Sequence, residues 1–188
     1  MLNNRLNFGL KYEFKTNLEF TNDTKKDDTG MFTDDSTFHK DIPAIFSLGV
    51  GYKITDKFRG QLSYTQYFDK QCNWEGREKL MDHNTMDLAL GLEYDVIPLL
   101  TLSGGYSRCF AGATSEYETD MDFSLSSNSF GIGGRLHFTE KLQADFGFMY
   151  VSCIENDKTS VDASSGISHK ETYVKDNKLF TLGLSYSF

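Results

Sequence analysis

The stretch AIFSLGVGYKITDKFRGQLSYTQYF, residues 44–68, decides the fold. Ala44, Phe46, Leu48, Val50, Tyr52 and Ile54 fall on even positions, with Gly49, Gly51 and Lys53 between them. After Thr55, Asp56 and Lys57 the pattern resumes with Phe58, Leu62, Tyr64 and Phe68, now interleaved with Arg59 and Gln61. An apolar residue at every second position is the signature of a strand with one apolar face. A three-residue polar break between two such runs is a hairpin turn.

The same alternation recurs along the whole chain. Strands are expected over about 4–20, 43–54, 58–68, 85–96, 100–110, 128–138, 142–152 and 179–188. In all eight the alternating apolar run is even-numbered, and the odd positions are mostly small or polar, with Tyr67, Met149 and Val151 among the exceptions. The breaks at 55–57, 97–99 and 139–141 are tight, whereas 21–41, 69–84, 111–127 and 153–178 are long and polar. Short and long connections alternate, so tight turns gather at one end and long loops at the other. The fold class read from this is an all-β, antiparallel up-and-down β-barrel of eight meander strands. Its layout is that of a transmembrane barrel with short periplasmic turns and long extracellular loops.

Composition narrows the reading. A net charge of −8 argues against a nucleic-acid partner. A mean hydropathy of −0.44 looks soluble. Barrel strands nevertheless give a weak hydropathy signal, because only alternate residues face lipid. No stretch nears 18 apolar residues, so no transmembrane helix is expected. The opening MLNNRLNFGL lacks the basic-then-apolar layout of a signal peptide, which leaves a mature or truncated form or a cytoplasmic protein. Cys72, Cys109 and Cys153 are an odd number with no C-x-x-C pair, and suggest neither a disulfide framework nor a zinc site.

A soluble eight-stranded barrel also alternates, with its apolar face inward. Three features favour the membrane form. Even-face aromatics gather at the strand ends: Tyr52, Phe58, Tyr94, Phe138, Tyr186 and Phe188 at the turn end, Phe46, Phe68, Phe110, Phe130, Tyr150 and Phe180 at the loop end. Between them the face is aliphatic, as expected of two aromatic girdles around a lipid-facing band. Most strand glycines sit on the odd face, where a crowded lumen would use the room. The odd face also carries charges of both signs. The candidate lumen residues are Lys11, Glu13, Lys15, Lys53, Arg59, Asp87, Glu93, Arg135 and Asp145.

The segments LNFGLKYEFKTNLEFTNDT (6–24), DIPAIFSLGVGYKITDK (41–57), LGLEYDV (90–96), GIGGRLHFTEKLQADFGFMYV (131–151) and LGLSYSF (182–188) resemble the C-terminal half of the long-chain fatty-acid outer-membrane transporter family, the FadL/TodX type, in its Bacteroidetes-like form. Asp41–Lys57 carries the most specific part. The resemblance implies part of a fourteen-stranded barrel that is plugged by an N-terminal hatch and carries hydrophobic compounds, chiefly long-chain fatty acids, through a lateral opening. It also implies a bacterial outer-membrane location in a Gram-negative cell. The hatch, the signal peptide and about six strands of the family pattern have no counterpart here, so none of their residues is carried over.

Several expectations follow. The partners are outer-membrane lipid and lipopolysaccharide, a hydrophobic small-molecule ligand, and the barrel-assembly machinery, which reads the aromatic-ended last strand. Lys11, Lys15, Lys53, Arg59 and Arg135 either meet a fatty-acid carboxylate or pair with Glu13, Asp87, Glu93 and Asp145. Pairing is favoured, since a low-dielectric lumen penalises unpaired charge. A standalone eight-stranded structural or adhesive barrel of the OmpA/OmpX type is the alternative, and a barrel enzyme a weaker one. His39, His83, His137 and His169 are scattered and form no set with a nucleophile. Gly49-x-Gly51 and Gly131-x-Gly133-Gly134 lie inside strands and read as packing glycines. The acidic run with Asp27, Asp28, Asp34 and Asp35 lacks the spacing of a calcium loop. No enzyme activity, cofactor or metal is expected.

Overall fold

A computed structural model describes residues 5–161 and 165–188. Eight long strands form one antiparallel meander: β1 (Leu6–Glu13), β4 (Ile45–Lys53), β5 (Phe58–Tyr67), β6 (Met86–Ile97), β7 (Leu100–Phe110), β8 (Ser127–His137), β9 (Leu142–Cys153) and β12 (Asp176–Tyr186). Two short ribbons stand outside it, β2 (Glu19–Thr21) with β3 (Thr37–His39), and β10 (Asn156–Val161) with β11 (Ser168–Tyr173).

Register keeps the two faces apart. Leu10 lies opposite Leu48, Leu48 opposite Tyr64, Tyr64 opposite Leu88, and Gly91 opposite Gly105. Even residues pair with even and odd with odd throughout, except beyond the bulge at Asp95–Ile97. A one-residue slip anywhere would place charge among the apolar side chains. The even face is strongly exposed: Leu184 is 73% accessible and Ile132 69%. The odd face is concave, and a hollow of about 1010 Å³ lies against it.

The two Thr-x-Lys turns are built alike. The Thr55 hydroxyl accepts the N–H groups of Lys57 (3.2 Å) and Phe58 (3.0 Å). The Thr139 hydroxyl accepts those of Lys141 (3.2 Å) and Leu142 (3.0 Å). A threonine side chain thus replaces the backbone acceptors that a tight turn lacks. The third turn uses Pro98 directly after the bulge.

The structure corrects two expected strand bounds and adds detail to the loops. The first strand does not run unbroken over 4–20, and residue 4 lies outside the described residues. Its ladder stops at Glu13 opposite Ile45, because the next paired position brings Lys15 to Pro43, which has no N–H to donate. Thr16 and Ile42 form one isolated bridge, and β2–β3 then resumes the same register, with Phe20 opposite Phe38. The last strand begins earlier than 179, at Asp176. The loops are not bare: 69–84 holds two 3-10 turns, and 153–178 extends β9 and β12 into the β10–β11 ribbon with a one-residue slip. Of the two forms the sequence leaves open, part of a larger barrel or a small closed one, the described residues show an open sheet with β1 and β12 as its two edges.

Removing one turn hydroxyl tests the turn. Thr139→Ala leaves two backbone N–H groups without their acceptor and is expected to cost about 1 kcal/mol of unfolding free energy. Urea titration of the folded protein in detergent, read by heat-modifiable gel migration, measures it. An unchanged midpoint would remove the hydroxyl from the turn's energetics.

Candidate functional site: the concave wall and its loop cap

The concave wall is polar and small-featured at mid-height. Ser63, Ala89, Gly91, Ser103, Gly131 and Met149 border the hollow. A Cβ at Gly91 would meet nothing within 4 Å, and the same holds at Gly9. These glycines face open space, so crowding is not what selects them. Close approach operates at other glycines on both faces: a Cβ would come within 2.8 Å of the Phe146 carbonyl at Gly133, within 2.8 Å of the Thr181 hydroxyl at Gly147 and, on the outward face, within 2.6 Å of the Phe146 ring at Gly134.

Charge concentrates toward the turn end of the wall. Arg59 donates from Nε to Glu93 at 2.7 Å and from both terminal nitrogens to Asp95 at 2.9 and 3.3 Å. Asp95 also accepts the Thr101 hydroxyl (2.8 Å), which lies 3.1 Å from His137 Nε2. Thr101 is only 5% exposed, so this chain is anchored in protein. Arg135 bonds Asp145 at 2.6 Å, Lys11 pairs with Glu13 at 2.5 Å along its own strand, and Lys53 pairs with Asp56 at 3.4 Å in the adjoining turn. Of the candidate lumen residues, Lys15 has left the wall for Asp41 (3.0 Å). Asp87 has no cation among the described residues and sits beside Tyr67 and Cys109. Asp95 was not among the candidates, yet its odd number places it on the same face as Glu93.

The girdle aromatics all lie on the outward face. At the turn end Phe58 meets Tyr94 edge-on at 6.4 Å, and Tyr186 meets Phe188 at 5.3 Å, while Tyr52 and Phe138 stand exposed. At the loop end Phe130 packs on Tyr106 (5.1 Å), Phe180 on Phe148 (4.8 Å) and Phe68 near Tyr12 (6.4 Å). Phe46, Phe110 and Tyr150 complete the level. Polar groups on this face are accommodated near the loop end. Gln66 donates to the Thr85 carbonyl at 2.9 Å, and Arg108 lies over the Phe110 ring at 5.0 Å.

Above the wall the long loops bind one another into a cap, and nearly all buried side chains are there or at its base. Asp41 joins the first two loops by accepting Lys15 Nζ (3.0 Å), the Leu18 N–H (3.1 Å) and the Asn73 N–H (2.8 Å), while its carbonyl takes Trp74 Nε1 (2.8 Å). Arg77 joins the second and third by donating to the Tyr117 carbonyl at 2.8 Å and lying over the Tyr117 ring at 4.3 Å. Glu118 joins the third and fourth. It is 0% exposed, and its carboxyl accepts the Ser124 N–H (2.9 Å) and Asn156 Nδ2 (3.1 Å). Lys158 reaches its carbonyl oxygen rather than the carboxyl, at 2.6 Å.

Two of the buried carboxyls, Asp41 and Glu118, shift in opposite directions. The Asn73 N–H, with Lys15 and Leu18, holds Asp41 below its usual range despite burial. Burial pushes Glu118 above its usual range, against the pull of Ser124 and Asn156. No periodicity marks any of these cap residues, so strand-based reading passes over them.

The remaining candidates lead separate lives. His39 bonds Glu75, His83 the Asn84 carbonyl, His137 Thr101, and His169 Glu171. In the acidic loop Asp27 is committed to the N–H groups of Thr29 and Phe32, and its pKa falls to about 2 through the Thr29 hydroxyl first. No group of three acidic, histidine or cysteine side chains among the described residues is placed to hold a metal. The three cysteines are free.

Comparison with known proteins matches residues 5–188 to the outer membrane protein beta-barrel domain family. The chain belongs to that family. Family membership places it in the outer membrane. No curated protein matches. Among solved structures, a Pseudomonas aeruginosa FadL homologue aligns with a TM-score of 0.73 at 15% identity, over 98% of this chain and 49% of that one. The P. putida toluene transporter TodX aligns at 0.60 and 13%, over 100% and 47%. The CymD monoaromatic hydrocarbon channel aligns at 0.57 and 14%, over 99% and 48%. The chain therefore spans about half the length of these structures.

The raised pKa of Glu118 predicts a pH response of the cap. Its folded pKa lies above the unfolded one, so the joint is fully stable below about 4.5 and loses stability as pH rises through the elevated value. Amide exchange over 117–124 and 156–160, corrected for intrinsic rate, is expected to accelerate with pH in the wild type and to stay flat in Glu118→Gln. The same acceleration in both would assign it to another group.

Proposed function

We propose that the concave face is part of the lumen of an outer-membrane barrel that passes hydrophobic compounds across the membrane, the class that includes long-chain fatty acids and monoaromatic hydrocarbons. The observation that carries this is the match of the whole chain to half of three transporter-type barrels, with the hollow on the inner side of the shared sheet. Gly91 borders that hollow with free space in front of it, as a conducting path requires. The outward face meets lipid and, at its loop end, lipopolysaccharide. The barrel-assembly machinery is the partner of β12, whose outward face carries Phe180 and Tyr186. A catalytic role finds no support in the separate histidine partners, and a purely structural barrel would have no use for an open glycine-lined hollow.

Blocking the hollow tests the reading. Gly91→Trp projects into free space and should fold normally, yet lower uptake of a radiolabelled hydrophobic solute by outer-membrane vesicles several-fold. Leu90→Trp, one residue along on the lipid face, should leave uptake unchanged. Equal rates in wild type and Gly91→Trp would take the conducting path away from this wall.

A further inference from the structure

The outward face carries charge at one end alone. Even positions of the eight long strands hold three charged residues, Arg108 on β7 and Asp176 and Lys178 on β12, and all three lie at the loop end. Toward the turn end the even positions of those strands are aliphatic, aromatic or glycine. Arg108 stands apart from the other two, because β7 lies inside the sheet and not at its edge. Its guanidinium lies 5.0 Å from the Phe110 ring on the outward side, and it has no hydrogen bond or carboxylate partner among the described residues. We propose that Arg108 and Asn128 hold a phosphate group of lipopolysaccharide in the outer leaflet. This inference rests on the reading that the outward face meets lipid, and is independent of the solute that the hollow carries.

The surroundings of Arg108 build the site. Arg108 and Asn128 are cross-strand partners on one face. Such partners stand about 5 Å apart, so a single anion can take donors from both. The Tyr106 hydroxyl donates to Asn128 Oδ1 at 2.7 Å, and this leaves the amide Nδ2 without a partner among the described residues. Ser152, opposite Asn128 on β9, adds a hydroxyl whose side chain is likewise unpartnered there. Three successive strands thus present unspent donors at one level. Asp176 closes the row on β12, with Lys178 two residues along the same face. A cation on a lipid-facing wall is tolerated near the interface, but once out of water its donors need an acceptor. Phosphate matches the guanidinium fork with two parallel bonds, and the Phe110 ring favours the cation at girdle level. The end at which Arg108 lies decides the lipid. Long loops mark the extracellular end, where the outer leaflet is built of lipopolysaccharide with phosphates on its sugar headgroup. The phospholipid leaflet lies at the turn end, where the outward face of the strands offers no cation.

The test uses the natural full-length protein, folded in detergent and immobilised, and radiolabelled lipid A, the phosphorylated anchor of lipopolysaccharide. The wild type should retain lipid A several-fold better than the same lipid stripped of its phosphates. Arg108→Gln should abolish that difference, Arg108→Lys should keep part of it, and Asn128→Ala should reduce it several-fold. Heat-modifiable gel migration checks the folding of each variant, and if Arg108→Gln does not fold, Arg108→Lys and Asn128→Ala decide. An excess of phosphatidylglycerol or of inorganic phosphate should not displace the lipid A. Equal retention with and without the phosphates, or by wild type and Arg108→Gln, overturns the inference. Displacement by phosphatidylglycerol overturns it in favour of a general phospholipid site, and displacement by inorganic phosphate in favour of a free-anion site. Solute uptake by the wild type is read separately, so its absence would overturn the transport reading while lipid A retention still stands.

Discussion

The structure depends on one constraint: each strand must present a single chemistry to each side of the sheet. A chain in lipid has no water to satisfy stray polar groups, so backbone bonds must be made between strands and side chains sorted by face. Parity of register does this sorting. Leu10, Leu48, Tyr64 and Leu88 are successive partners on one face, and Gly49, Ser63, Ala89 and Ser107 on the other. Turns of fixed length, two of them closed by a threonine hydroxyl, keep the parity from slipping between strands.

What parity leaves open, the loops supply. The sheet buries little by itself, and its apolar even face stays exposed. The chain's own interior is in the cap, where Asp41, Arg77 and Glu118 link each long loop to the next. Opposite electrostatics govern the two carboxyls. Asp41 is charged because three donors, one of them a lysine, surround it. Glu118 resists charge because burial disfavours its ionised form, and Lys158 reaches its backbone carbonyl rather than its carboxyl.

The eight long strands, the alternation of turns and loops and the sidedness of the girdles are legible in the sequence, because period two survives every substitution that respects the face. The loop ribbons and the cap are not. Glu118 and Arg77 sit in segments with no period, and only three-dimensional proximity shows what they join. The wall lies between these cases. Arg59 and Glu93 could be assigned to one face from their numbers, but not that Asp95 shares the arginine or that Thr101 buttresses it. The interruption at Pro43 was readable in principle, since proline cannot donate to a ladder. It was masked because the alternation of Phe14, Leu18 and Phe20 continues past it.

The most direct test of this account is the sidedness of adjacent residues in the membrane. Spin labels at Leu48, Leu90 and Ile132 and at Ser63, Ala89 and Ser129, in full-length protein whose native cysteines are replaced by serine, report collision with oxygen or with a water-soluble nickel chelate. Even positions should collide with oxygen and odd positions with the chelate. Chelate access at the even positions, or no alternation between Ala89 and Leu90, would contradict it.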